Sequence, residues 1–105
     1  MATINDRENA FENKFAHDAE IQFKVDARRN KLLGLWAAEL MGKSGDDAAA
    51  HAKDVVKSYF EEGGHEAVFG KVSSDLGSKA DEATIRAKMS SLMHEAQSQI
   101  MTEQN

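Results

Sequence analysis

The chain contains no cysteine and no proline. Without cysteine there is no disulfide, no thiolate metal site and no cysteine nucleophile. Without proline nothing locks φ or removes a backbone donor inside a helix. Long apolar runs are missing too. The longest, LLGLWAA, is far short of the roughly 20 residues that cross a bilayer, and the amino terminus ATINDRENA has acids and asparagines where a signal peptide has a basic and then an apolar stretch. No direct membrane insertion is therefore expected. Positive charge is also scarce: 13 Lys and Arg stand against 18 Asp and Glu, a net charge of -5. Nucleic-acid affinity rests on neutralising phosphates, so this balance argues against DNA or RNA as a partner.

What is present favours helices. Alanine, glutamate, lysine, leucine and methionine are frequent, and runs of β-branched residues are rare. Glycines punctuate the chain at Gly42-Lys43-Ser44-Gly45, at Gly63-Gly64 and at Gly77. This punctuation predicts helices over about 19–42, 45–62, 65–76 and 82–103, each with an apolar stripe. The first carries Val25, Leu32, Leu33 and Trp36, with Trp36 expected as the main anchor. The last carries Ile85, Met89, Leu92, Ala96 and Ile100. At 105 residues there is room for one modest core. Short loops make neighbouring helices antiparallel, so the expected fold is all-α, a small four-helix bundle. Two regions are expected: a mobile but potentially helical amino-terminal segment, 1–18, and a bundle domain, 19–105.

The stretch MGKSG invites comparison with a phosphate-binding loop. Such a loop needs a second glycine five positions before Gly42, and position 37 is Ala37. The preceding run also has helical rather than strand periodicity. Gly42 is better explained as a left-handed helix cap, with Ser44 and Asp47 as a capping box for the next helix. Lys43 and Ser44, beside free N–H groups of that helix, remain a general anion-binding candidate. A second candidate is the basic cluster of Arg28 and Arg29. Arg29 projects between Val25 and Leu32 on the apolar face, where a charge must snorkel to water or pair with an acid of a neighbouring helix.

The segment NDRENAFENKFAHDAE does not fit the bundle. A helix starting at residue 5 would reach about 57 Å, against about 26 Å for the second helix. Its amino-terminal half would overhang. Yet Ile4, Phe11 and Phe15 project onto one face, behind a possible capping box of Asn5 and Glu8. An aromatic stripe on an unsupported helix is suited to a partner's groove; alternatively it folds back on the bundle or is idle. The histidines His17, His51, His65 and His94 form no HxxxH or HExxH spacing, so no metal site is expected. No nucleophile is accompanied by a base, and the chain is not expected to be an enzyme.

The blocks NAFENKFAHDAE and ARRNKLLGLWAAELMGKSG, with weaker echoes in AKDVVKSYFEE, HEAVFGKVSSDL and IRAKMSSLMHEA, resemble the zeta subunit of the alphaproteobacterial F-type ATP synthase. The resemblance runs over nearly the whole chain. It implies a four-helix bundle, a cytoplasmic location at the inner membrane through the synthase, and inhibition of ATP hydrolysis by an amino-terminal segment acting on the soluble catalytic head. Carried onto this sequence, that segment includes Ile4, Arg7, Glu8, Phe11, Lys14 and Phe15. The resemblance also implies weak ADP or ATP binding by the bundle with no required cofactor, the candidates being Arg28, Arg29, Lys43 and Ser44. The free protein is expected to be a monomer. One departure is that the third helix opens with His65 and Ala67, where the family pattern is more acidic. The competing expectation is an adenine-nucleotide sensor or a structural adaptor with little inhibitory activity.

Overall fold

A computed structural model describes the backbone of residues 4–103 and the side chains of 18–103 other than Glu62. Four helices follow one another: α1 (Ile4–Leu40), α2 (Gly45–Glu62), α3 (His65–Leu76) and α4 (Glu82–Glu103), with a 3-10 turn at Gly77–Lys79 between the last two. There is no strand among the described residues, and the fold is an all-α four-helix bundle. The glycine punctuation places α2, α3 and α4 where the sequence predicts them. The first helix differs: it starts at Ile4, not near residue 19. No glycine or proline lies between Ile4 and Leu33, so nothing in the sequence interrupts the backbone hydrogen bonding.

The turns are tight because glycine supplies conformations that other residues reach at a cost. Gly42 and Gly63 both adopt positive φ, of 78° and 112°, and the Gly63 N–H closes the end of α2 on the Tyr59 carbonyl. The expected capping box at Ser44 does not form. Ser44 occupies the position before α2 but makes no side-chain cap bond. Gly45 follows at φ 57°, whereas a capping box requires the residue after the cap to be helical already. The start of α4 is capped instead by Asp81, whose Oδ1 accepts from the Thr84 N–H at 2.8 Å.

α1 is the spine. Leu33 and Ala37 join Val55, Val68, Val72, Leu76, Ile85, Met89 and Leu92 in one core cluster; Val25 joins Ala96 and Ile100 in a second. Leu32 packs against both. Leu33 is fully buried, and it, rather than Trp36, is the anchor: Trp36 is only half-buried at the edge of the core. The helical projection identifies the correct side of α1, but the centre of the core falls nearer Leu33.

α2 and α4 pack along α1 on either side, and α3 closes across one of the two faces between them. The other face of α1 stays open.

Candidate functional site

Two parts of α1 carry the candidate functions. The amino-terminal part holds Ile4, Arg7, Glu8, Phe11, Lys14 and Phe15; their side chains, and that of His17, lie outside the described residues. Ile21 is the first α1 residue, among those described, that packs against the core. From Ile4 to Glu20 the helix rises about 25 Å.

Further along, the open face of α1 forms the floor of a groove of about 940 Å³, walled by α2 and by the end of α4. Its apolar lining includes Phe23, Ala27, Leu35, Ala52, Val56 and Ile100, and its rim carries Lys24, Arg28, Lys31, Lys53 and Lys57. The i, i+4, i+7 recurrence of Lys24, Arg28 and Lys31 on α1, and the i, i+4 pair Lys53 and Lys57 on α2, align the cations along the two helices. One carboxylate, Glu103, belongs to the lining. Arg28 grips it with both terminal nitrogens, at 2.6 and 2.9 Å, and also donates to Gln99 Oε1 at 2.7 Å. The hydrogen bonds from Arg28 hold the Glu103 carboxyl below its ordinary range, opposed by desolvation and reinforced by the fields of Arg28, Lys24 and Lys31.

Arg29, one residue on, points to the opposite side. It is 3% exposed, so it does not snorkel to water as expected, and among the described residues it meets no acid in an ion pair. Instead its Nε donates to Asn30 Oδ1 at 2.7 Å and a terminal nitrogen donates to His65 Nδ1 at 2.6 Å. Burial pulls the guanidinium below its usual value, and the nearby charges of Asp26 and Tyr59 oppose this. Asp26 accepts from Tyr59 Oη at 3.0 Å and from Gln22 Nε2 at 2.9 Å; together with the Arg29–His65 bond this ties the end of α2 and the start of α3 to α1. Burial first, then the contact with Asp26, pushes the Tyr59 hydroxyl up. His65 packs beside Tyr59, ring centres 5.2 Å apart. It does not cap α3, whose preceding residue is Gly64. The Nδ2 of fully buried Asn30 has no hydrogen-bond partner among the described residues.

The sequence reading does not pick out His51, yet it is buried where three helices meet. Its Nδ1 lies 2.9 Å from the Gly34 carbonyl of α1 and its Nε2 lies 2.8 Å from Asp75 Oδ2 of α3. Both ring nitrogens therefore face acceptors. Lys71 Nζ also donates to Asp75, at 3.0 Å. Desolvation opposes ionisation of Asp75, but the hydrogen bonds from His51 and Lys71 outweigh it and leave the carboxyl below its usual range. The signal was present in the spacing: His51 falls between Ala48 and Val55 on the buried stripe of α2, and its neighbour Ala52 is buried too.

The four nucleotide candidates do not converge. Arg28 faces the groove and Arg29 the junction; Lys43 and Ser44 are exposed in the α1–α2 turn, about 21 Å further along the axis of α1. Among the described residues no group of three or more His, Asp or Glu is placed to hold a metal ion. No described helix is long and apolar enough to cross a membrane.

Comparison with known proteins adds two findings. A family model described as "ATPase inhibitor subunit zeta" matches residues 1–99. A solved structure, presented only as a solution NMR structure of a protein, is 58% identical; the similarity covers 79% of this chain and 98% of that one, with a TM-score of 0.73. Among curated proteins none matches.

Proposed function

The chain belongs to the ATPase inhibitor subunit zeta family, and from that premise we propose that it restrains ATP hydrolysis by inserting its amino-terminal segment into the soluble catalytic head of an F-type ATP synthase. The observation that carries this reading is the reach of the family match, which begins at residue 1 and so takes in the amino-terminal part of α1 as well as the bundle. That part precedes Ile21, the first described contact with the core.

The mechanism needs no chemistry of its own. A rotary ATPase turns over only while its catalytic interfaces open and close, and a helix wedged between subunits raises the barrier to opening. Ile4, Phe11 and Phe15, four and seven residues apart, share a helical face. Burying each phenylalanine in a partner contributes about 1.5 to 3 kcal/mol, less the cost of ordering the segment. Arg7, Glu8 and Lys14 on the flanks set register more than affinity. The bundle holds the segment at the synthase and binds ADP or ATP weakly, at one of two separate places: Arg28 on the groove wall or Lys43 and Ser44 in the exposed turn.

The test is ATP hydrolysis by the isolated head of the cognate synthase, titrated with the full chain and with a version starting at Asp18. Inhibition by the full chain alone supports the reading; equal inhibition by both, or by neither, refutes it. For the nucleotide, ADP-induced amide shifts in the full chain and in Lys43→Glu decide between the two places: normal binding by the variant excludes the turn.

A further inference from the structure

We propose that the open face of α1 is a docking groove for an acidic amphipathic helix of a partner protein. This goes beyond the inhibitory segment, since it assigns a second contact to the bundle itself.

Shape comes first. α2 and α4 flank α1 with little packing on each other, α3 fills one of the faces between them, and the other face is left as a trough. From Phe23 to Leu35 its floor runs about 18 Å along α1, the length of some three helical turns. The trough is apolar at its base through Ala27, Val56 and Ile100, as an entering helix with apolar residues at i, i+4 spacing requires. At one end stand Phe23 and Phe60, whose rings lie 5.2 Å apart although they are 57% and 47% exposed. Aromatic side chains held together yet open to solvent are the kind of anchor that interfaces favour.

Charge selects the occupant. Five of the 13 basic residues in a chain of net charge -5 line this groove, against a single carboxylate among the described residues. Lys31 and Lys53 make no ion pair among the described residues. The groove already accommodates one carboxylate, Glu103, which Arg28 holds in a forked pair. An occupant with leucine-like residues along one stripe and acids on both flanks satisfies the floor and the rim together.

The experiment follows backbone amides of the isotope-labelled full chain by NMR at low salt. The probe is a roughly 16-residue helical peptide with leucines on one face and glutamates beside them. The controls are a peptide with lysines for the glutamates and one of the same acidic composition with the leucine stripe scrambled. The expected result is shifts centred on Ala27, Lys31, Val56 and Lys57 with the acidic amphipathic peptide only. The exposed double substitution Lys53→Glu with Lys57→Glu is expected to weaken that peptide at least about tenfold and to reverse the preference toward the lysine peptide. Shifts elsewhere, equal binding of the scrambled peptide, or no reversal would overturn the proposal. So would two rival occupants: ADP perturbing the same amides with higher affinity, or a spin label on Thr3→Cys broadening them without peptide, which would give the groove to the chain's own amino terminus.

Discussion

Gly34 of α1 lies so close to Ala52 of α2 that a methyl group on it would stand 2.6 Å from the Ala52 Cα. The obstacle is backbone, so no side-chain rotation relieves it. Beside this contact His51 of α2 bonds the Gly34 carbonyl, and the absence of a side chain at position 34 lets the two helices come close enough for that bond. Gly34→Ala is accordingly expected to destabilise by about 1 to 3 kcal/mol. For a domain of this size the melting temperature falls about 4 to 8 °C per kcal/mol. A thermal midpoint unchanged from the parent would mean that the helices are not in contact there.

Leu33 and Trp36 should rank in the order of their burial, not of their size. Leu33→Ala empties a fully enclosed site and is expected to cost about 2 to 5 kcal/mol. Trp36→Ala, at the rim of the core beside Lys88, is expected to cost less. Urea unfolding followed by circular dichroism makes the comparison without relying on the tryptophan as reporter, and the reverse order would displace Leu33 as the anchor.

Asp75 gives the fold an acid-sensitive contact. Its carboxyl is held below the ordinary value of 3.8, so folding is favoured by the ionised form. The stability it contributes is fully present above that unfolded value and is lost as pH falls through the lower folded value. Asp75→Asn is expected to be less stable at neutral pH and to lose less further stability on acidification below about pH 4. Parallel stability profiles for the two proteins in that range would show that Asp75 is not ion-paired as described.

Phe11→Ala combined with Phe15→Ala is expected to abolish inhibition of ATP hydrolysis while the helical circular dichroism and the melting of the bundle stay as they were. Undiminished inhibition would remove the aromatic face from the mechanism.

Much of the fold was legible in the sequence because glycine and periodicity are local signals. The pairs Gly63-Gly64 and the turn at Gly77 mark the ends of α2 and α3 where the backbone needs positive φ. The start of α1 was not legible, because a helix is propagated by its own backbone bonds and needs no packing partner opposite each turn. The candidate sites fared similarly. That Arg29 would lie on the apolar face follows from its position between Val25 and Leu32, but its near-complete burial and its acceptors do not: Asn30 is adjacent in sequence, and His65 arrives from the start of α3. The groove was invisible for a related reason. Lys24, Arg28 and Lys31 come from one helix and Lys53 and Lys57 from another, and only the antiparallel packing of α1 on α2 turns two ordinary solvated faces into one rim.

α1 contributes to both core clusters, through Leu33 and Ala37 to one and through Val25 to the other. Its amino-terminal part is thus continuous with the element whose removal dismantles the whole interior. A force applied along that part is resisted not by one contact at its base but by the cooperative unfolding of the domain. The bundle therefore acts as a knot at the end of a line, and the height of its unfolding barrier sets the load that the line can bear.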